Sequence, residues 1–237
     1  MLLIANGCSH TAGAEIDEPR QGESYEKAWP AHLAKRWECD HINLAISGAS
    51  QARVIRTTFE KVGELLLKKI SPKDLFVIIL WPGPSRTEVY DKKEKECDLW
   101  KGWTTLVAGN DYTGDRSADT LRYFQAWVNL YSSHWANTQT YIETLSLQSY
   151  LKSWGIKYFF YRASVTKYVS DDYTKPFKIQ IDRKFFPDFD NSDGCFTNLL
   201  KHTGFKFIPW SLGHYSEDGH KFFAKFLDRK IGKIYDY

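Results

Sequence analysis

Short apolar runs alternate along the chain with longer stretches in which apolar residues recur at helical spacing. The uninterrupted apolar run in Asp74–Leu80 is typical of a central parallel strand that is covered on both faces. The runs that predict strands are Leu2–Ala5, His41–Ala45, Asp74–Leu80, Ile156–Tyr161 and Phe205–Ile208.

Helical spacing is clearest in Gln51–Lys69, where the apolar residues form one stripe. The stretches predicted to be helical are Ser24–Trp37, Gln51–Lys69, Leu121–Trp154 with one break, and Ser216–Ile231. Because strands alternate with helices, the pattern predicts an α/β fold with a three-layer, doubly wound parallel sheet. Ligands of such sheets bind where the carboxyl ends of the strands meet.

Two segments interrupt this alternation, at about 81–119 after the third strand and at about 166–191. The first is rich in Pro, Gly, Trp and charged residues, and the second in Asp, Lys, Phe and Pro. Loops of such length in compact domains are usually functional. For a chain of 237 residues, we expect one domain over 1–237 that carries both segments as insertions.

Composition excludes several classes of binding partner and cofactor. The net charge of +3, without a block of Lys or Arg, argues against strong nucleic-acid binding. No apolar run reaches about 18 residues, and Met1–Ala5 lacks the features of a signal peptide. We therefore expect a cytoplasmic protein with no membrane partner. The four cysteines form no Cys-x-x-Cys pair, so we expect neither a zinc knuckle nor a redox motif, and no cofactor.

The turn after the first strand, Gly7–Gly13, carries the strongest candidate chemistry. Its small residues allow a sharp turn that presents the Ser9 hydroxyl beside free backbone N–H groups. Such a serine can attack a carbonyl carbon while the N–H groups stabilise the oxyanion. Cys8 is a weaker candidate nucleophile, and His10 is a candidate to line the substrate pocket.

Three later turns reach the same edge of the predicted sheet. Gly48, after the second strand, lets the backbone approach a ligand closely. The third strand leads into a segment with Trp81, Ser85 and Arg86, in which Trp81 either stacks against a sugar or packs within the insertion. His214 precedes the last predicted helix and is positioned to deprotonate Ser9.

These blocks, in this order, resemble the SGNH/GDSL hydrolases, and most closely a small subgroup with a Gly-Cys-Ser-His/Phe-Thr-x-Gly turn that is common in tailed-phage genomes. The resemblance implies a flavodoxin-like hydrolase fold, with Ser9 as nucleophile and Gly48 as an oxyanion-hole donor. It implies His214, the first histidine of the His-x-x-x-x-Gly-His pattern, as general base, and it leaves His220 a structural role. If the gene is phage-borne, host cytoplasm or the virion is the expected location.

Two positions depart from the family pattern. The third block lacks the usual oxyanion-hole Asn, and Ser85 or Arg86 is available as a replacement donor; Arg86 would also suit an anionic substrate. The family's acid lies three residues before the histidine, where this chain has Ser211. The replacements left open are Asp218, an acid in 182–193, or a main-chain carbonyl of Trp210 or Ser211.

The sequence thus predicts a serine esterase or deacetylase that uses a Ser-His dyad or triad. A small-molecule or carbohydrate ester, such as an O-acetylated sugar, is the expected substrate. A protein that retains the fold and binds without catalysis, for example in a virion, is the alternative, and a thioesterase or lipase is a third. A metal site at His214, Asp218 and His220 is not expected, since no further ligand block accompanies them.

Overall fold

A four-stranded parallel sheet forms the centre of this computed structural model, in the order β2-β1-β3-β6, and a separate antiparallel pair follows β3. The strands are β1 (Leu2–Gly7), β2 (Asp40–Asn43), β3 (Leu75–Trp81), β4 (Arg86–Tyr90), β5 (Trp103–Val107) and β6 (Lys157–Arg162). The residues that the structure describes are 1–17, 22–91, 102–109, 116–165, 172–191, 193–211 and 213–235.

Helices cover both faces of the sheet. They are α1 (Ser9–Ala12), α2 (Trp29–Arg36), α3 (Gln51–Leu67), α4 (Ala118–Leu130), α5 (Ser133–Ser153), α6 (Lys175–Lys178), α7 (Phe196–His202) and α8 (Glu217–Tyr235), with short 3₁₀ turns at Tyr25–Lys27 and Pro72–Asp74. Residues of α2, α7 and α8 share one buried apolar cluster with the sheet. Residues of α3 and α5 share the other. The predicted three-layer arrangement is thus observed.

Period-two alternation divides the buried β3 between the two clusters. Phe76 and Ile78 point towards α2 and α8, whereas Val77 and Ile79 point towards α3 and α5. All seven residues of β3 are buried, as expected for a central parallel strand. β2 lies on one side of β1 and β3 on the other, so the strand order reverses at β1. The loops that follow β1 and β3 therefore leave the sheet at a topological switch point, where ligands of such sheets bind.

Several predicted elements differ from the observed ones. The predicted strand Phe205–Ile208 is wrong: its one β contact is an isolated bridge from Phe207 to Tyr215, and Phe207 is about half exposed. An apolar run at the surface, without a neighbouring strand edge, does not extend the sheet. The predicted helix Ser24–Trp37 is shorter, since its first part is a 3₁₀ turn.

The insertion after β3 contains structure that its composition did not predict. The strands β4 and β5 pair antiparallel within it, from Arg86 opposite Val107 to Tyr90 opposite Trp103. The segments 92–101, 110–115 and 166–171 of the two predicted insertions lie outside the described residues. None of the helices in the described part of the chain is both long enough and apolar enough to cross a membrane.

Candidate active site

The turn from β1 into α1 requires glycine at its first position. A Cβ atom on Gly7 would lie 2.4 Å from Thr11 Oγ1 and 2.7 Å from the Leu80 carbonyl oxygen, which is too close for any other residue. Cys8 is the N-cap of α1 and is buried, and Ser9 is the first residue of the helix. The Ser9 N–H therefore has no acceptor within the helix and remains available to a ligand.

The chain turns back directly after α1. Gly13 has a left-handed backbone (φ 73°) and ends the helix by donating its N–H to the Ser9 carbonyl oxygen. Glu15 is also left-handed (φ 61°), which is uncommon for a residue with a side chain. Ala14 between them forms an isolated β bridge with Glu23. This tight turn brings the carboxylate of Glu15 back to the carboxyl edge of the sheet.

Two asparagine side chains secure the strand ends beneath this turn. The Asn43 amide, at the end of β2, donates to the Thr11 carbonyl oxygen at 2.8 Å and accepts the Ala45 N–H at 3.1 Å. The buried Asn6 amide donates to the Val54 carbonyl oxygen at 3.0 Å, and its oxygen accepts the Gly7 N–H at 2.8 Å. The turn Gly7–Gly13 is thus hydrogen-bonded to β2 and, through Asn6, to α3.

His214 is paired with Glu15 across 199 residues of sequence. Its Nδ1 lies 2.7 Å from Glu15 Oε2, and both side chains are largely buried. The indole N–H of Trp210 donates to the Glu15 carbonyl oxygen at 3.4 Å, which ties the two loops together further. An imidazole whose Nδ1 faces a carboxylate presents Nε2 as its basic nitrogen. The pair therefore has the chemistry of an oriented general base.

The sequence did not predict Glu15 as the acid. His214 Nδ1 contacts this residue rather than a main-chain carbonyl of Trp210 or Ser211, and the acidic side chains that the sequence left open pair with other residues. Ser211, which stands where the resemblance places an acid, accepts the His214 N–H at 2.9 Å and so shapes the loop. Asp218 pairs with Lys221, and the acids of 182–193 pair with Lys152, Lys178, Lys230, Arg183 and Asn198. One signal was present: Glu15 lies two residues after the turn Gly7–Gly13, at the sheet edge where His214 was expected.

Gly48 lies where the second predicted block was expected to approach a ligand. Its backbone is left-handed (φ 78°), and no atom lies within 4 Å of the position that a Cβ would take. Ser50 caps the following helix α3 by accepting the Arg53 N–H at 3.1 Å. Among the described residues, the N–H groups of Ser9 and Gly48 are not used in backbone hydrogen bonds. Both remain available to an oxyanion.

The third block brings Arg86 rather than a carboxamide to the site. Its Nη1 donates to the Ala49 carbonyl oxygen at 3.2 Å, directly after Gly48. The Ser85 carbonyl oxygen accepts the Ala108 N–H at 2.9 Å, which anchors the beginning of the antiparallel pair. Glu88, two residues after Arg86, is held by Arg56 instead.

His10 lies against His214, with ring centroids 5.0 Å apart, and against Phe196 at 5.1 Å. Its Nδ1 is buried and makes no hydrogen bond. Burial lowers the pKa of His10 well below its ordinary value, and the neighbouring His214, His220 and Arg86 add to the shift. The ring is therefore neutral near neutral pH, and it packs between His214 and Phe196.

Trp81 is placed in the core rather than in the site. Its side chain is 1% exposed, belongs to the α3–α5 cluster, and donates its indole N–H to Thr144 Oγ1 at 2.7 Å. The reason is the alternation of β3, which directs this last strand residue towards α5. The prediction that Trp81 stacks against a substrate is therefore wrong.

His220 is buried at the start of α8 and faces away from solvent. Its Nδ1 accepts the Trp29 N–H at 3.1 Å, which satisfies a free donor at the start of α2. Burial, with smaller effects of His32 and His214, lowers the pKa of His220 to about 3. In the described part of the chain, no group of three His, Cys, Asp or Glu residues is arranged to hold a metal ion.

The Ser9 hydroxyl and His214 are brought to the same edge of the sheet without being bonded to each other. Within the described residues, no hydrogen bond joins the two side chains. Such contacts are often long in the absence of substrate and shorten only in the complex. The residues that the structure brings together are Ser9, His10, Glu15, Gly48, Arg86 and His214.

Comparison with known proteins identifies relatives by family and by fold. A family model described as "Family of unknown function (DUF6071)" matches residues 14–235. A search of curated proteins finds no match. Among solved structures, TesA aligns over 99% of both chains at 14% identity with a TM-score of 0.50.

Two further solved structures align at lower similarity. The esterase EstA from Pseudoalteromonas sp. covers 100% of this chain and 99% of its own, at 12% identity and a TM-score of 0.47. The acetyl xylan esterase AlAXEase covers 98% of both chains, at 13% identity and a TM-score of 0.45. The likeness to TesA over the whole chain confirms the predicted fold class, the three-layer α/β fold of the SGNH hydrolases.

Proposed function

We propose that this chain, which belongs to the DUF6071 family of unknown function, is a serine ester hydrolase with the triad Ser9, His214 and Glu15. The observation that carries the proposal is the 2.7 Å contact of His214 Nδ1 with Glu15, beside the loop that presents Ser9. A buried carboxylate in this position holds the imidazole in one orientation and stabilises its protonated form.

In the proposed reaction, Ser9 Oγ attacks the ester carbonyl carbon while His214 Nε2 takes the hydroxyl proton. The carbonyl oxygen becomes an oxyanion and accepts hydrogen bonds from the N–H groups of Ser9 and Gly48, with the Ser85 side chain as the third predicted donor. The intermediate collapses, the C–O bond to the alcohol breaks, and His214 returns its proton to the leaving alcohol. Water then hydrolyses the acyl-enzyme by the same proton transfers, and the acid is released.

The substrate we propose is an O-acetyl ester of a carbohydrate. This is the substrate that the sequence predicts, and the N–H groups of Ser9 and Gly48, which make no backbone hydrogen bonds among the described residues, can receive the acetyl carbonyl oxygen. The tailed-phage subgroup, the single domain over 1–237 and the cytoplasmic location stay predictions of the sequence. The family match over 14–235 supports the single domain.

A fluorophosphonate probe tests whether Ser9 is activated, because such probes react with nucleophilic serines. We expect labelling of a Ser9 peptide, read by mass spectrometry, and hydrolysis of 4-nitrophenyl acetate. Ser9→Ala should abolish both, with a fall in rate of about 10³-fold or more. Ser146→Ala is the matched control, since Ser146 Oγ bonds to its own helix at the Ile142 carbonyl oxygen.

Two outcomes would redirect this proposal. Equal rates for the wild type and Ser9→Ala would exclude the serine mechanism, and loss of labelling in Cys8→Ala but not Ser9→Ala would assign the nucleophile to the thiol. Absence of both labelling and hydrolysis favours the alternative, a protein that binds its ligand without catalysis. The missing Ser9–His214 hydrogen bond is the observation that keeps this alternative in view.

A further inference from the structure

The positive charge of Arg86 has no carboxylate partner in the described structure. The nearest acid along β4 is Glu88, and both of its oxygens accept hydrogen bonds from Arg56, each at 2.9 Å. Arg86 itself makes one hydrogen bond, from Nη1 to the Ala49 carbonyl oxygen at 3.2 Å. A guanidinium that bonds to a neutral carbonyl keeps its charge, and most of its five N–H donors remain available to a ligand.

This unmatched charge lies within electrostatic range of both loops of the candidate site. Ala49 directly follows Gly48, whose open side faces free space. His10 directly follows Ser9, and the charge of Arg86 contributes to the lowered pKa of His10. The Nδ1 atom of His10 is also buried without a hydrogen bond. A guanidinium group held beside the Gly48 loop and an imidazole nitrogen without a hydrogen bond next to Ser9 in the chain thus lie within electrostatic range of each other.

We propose that Arg86, with His10, binds a carboxylate on the alcohol portion of the ester, so that the substrate is an acetylated acidic sugar or a similar acetylated hydroxy acid. This inference rests on the proposed ester hydrolysis at Ser9. An acetyl group carries no charge, so a charge on the substrate must belong to the alcohol. The planar guanidinium matches a carboxylate through two parallel hydrogen bonds, which a neutral sugar cannot replace.

A pair of acetyl esters that differ in charge tests the assignment. The pair is 4-acetoxybenzoate and 4-acetoxybenzamide, with the corresponding 3-substituted pair to vary the distance between charge and ester. The measurement is the ratio of kcat/KM for the carboxylate over the carboxamide. We expect a ratio of about ten or more in the wild type, carried by KM, and a lower ratio when the ionic strength rises from about 0.05 M to about 0.5 M.

Substitution of Arg86 should remove this preference. We expect Arg86→Gln and Arg86→Met to lower the ratio about tenfold, whereas Arg86→Lys retains part of it because the charge remains. Arg229→Met is the matched control, since it removes one exposed arginine of α8 and should leave the ratio unchanged. Thermal unfolding of each variant shows whether it has folded.

The outcomes separate this inference from the proposed function. A ratio near one in the wild type, or an unchanged ratio in the Arg86 variants, overturns the carboxylate subsite. An equal fall in kcat on both esters also overturns it, since Arg86 would then act on the reacting oxygen of any ester. If neither ester is hydrolysed faster than by Ser9→Ala, the proposed function fails instead.

Binding then decides the subsite independently of turnover. The Ser9→Ala protein is titrated with 4-hydroxybenzoate and 4-hydroxybenzamide and observed by NMR. Tighter binding of the carboxylate that is lost on adding Arg86→Gln supports the subsite, and equal binding of the two compounds overturns it.

Discussion

Two histidines six residues apart, His214 and His220, meet opposite environments in this fold. His214 lies on the loop before α8 and contacts the Glu15 carboxylate at 2.7 Å. His220 lies in the first turns of α8, is 1% exposed, and accepts a main-chain N–H from Trp29. A carboxylate on one ring nitrogen prepares an imidazole to gain a proton. At His220, by contrast, the buried Trp29 N–H needs an unprotonated Nδ1 as its acceptor, so the fold disfavours the protonated imidazole.

The comparison shows that the partner of a histidine, rather than its motif, determines its role. Both residues belong to the one His-x-x-x-x-Gly-His pattern, and the pattern alone does not state which of them is reactive. Their substitutions should therefore affect different quantities. Substitution of His214 should lower activity and leave stability unchanged, whereas substitution of His220 should lower stability and leave the chemistry unchanged.

The largest effect is expected from His214→Ala. Without the base, the Ser9 proton has no acceptor, so the rate of ester hydrolysis should fall by about 10⁴-fold or more while the free energy of unfolding changes little. Steady-state kinetics with 4-nitrophenyl acetate and urea denaturation measure the two quantities. His202→Ala, which removes an exposed histidine at the end of α7, is the control. A His214→Ala protein with wild-type activity would break the comparison.

A smaller loss of activity is expected from Glu15→Gln. The amide is nearly isosteric with the carboxylate but does not stabilise the protonated imidazole, so kcat should fall roughly 10³-fold with KM little changed. Glu26→Gln, on the exposed 3₁₀ turn, is the matched control. If Glu15→Gln and Glu26→Gln were equally active, the contact with His214 would be structural, and the dyad predicted from the sequence would stand without an acid.

The smallest effect on activity is expected from His220→Ala. The variant leaves the Trp29 N–H without its acceptor and opens space in the core, so the free energy of unfolding should fall by about 2 to 3 kcal/mol. The folded protein should keep activity within about threefold of the wild type. His220→Gln, which offers a side-chain oxygen to the same N–H, should recover part of the stability. A loss of kcat at full stability would place His220 in the reaction.

The same residue gives stability a pH dependence of known sign. In the unfolded chain His220 titrates near 6.5, whereas burial lowers its pKa to about 3 in the folded protein. The unfolded state therefore takes up the proton first, and stability falls as the pH drops from about 6.5 towards 3. In His220→Gln the fall in urea midpoint between about pH 7 and about pH 5 should be shallower than in the wild type.

Much of this arrangement follows from sequence because it depends on local pattern. The apolar run of β3, the stripe of α3 and the turn of small residues around Ser9 each identify their element without reference to distant residues. His214 follows from the resemblance and from its place before the last helix. For these positions, burial at period 2 or 3.6 and the stereochemistry of glycine carry the information.

What the sequence did not predict depends on distant contacts. Glu15 is one of many acidic residues in the sequence. What distinguishes it is a left-handed turn that places its carboxylate against His214, 199 residues later in the chain. Trp81 was a candidate stacking residue because an indole combines an apolar ring with a polar N–H, yet the alternation of β3 directs it inward. Phe205–Ile208 is apolar enough for a strand, but its β contact is an isolated bridge of Phe207 with Tyr215 rather than a place in the sheet. In each case the deciding fact is which surface the residue meets.

The pairing of residue 15 with residue 214 also determines when the proposed enzyme becomes competent during its own synthesis. The proposed nucleophile and acid are synthesised together, within one short turn, and the proposed base follows 199 residues after the acid. The docking of α8 alongside α2 then delivers the imidazole. Ester hydrolysis would thus report on chains in which α8 has docked against α2, and a refolding experiment could follow this step by the return of activity.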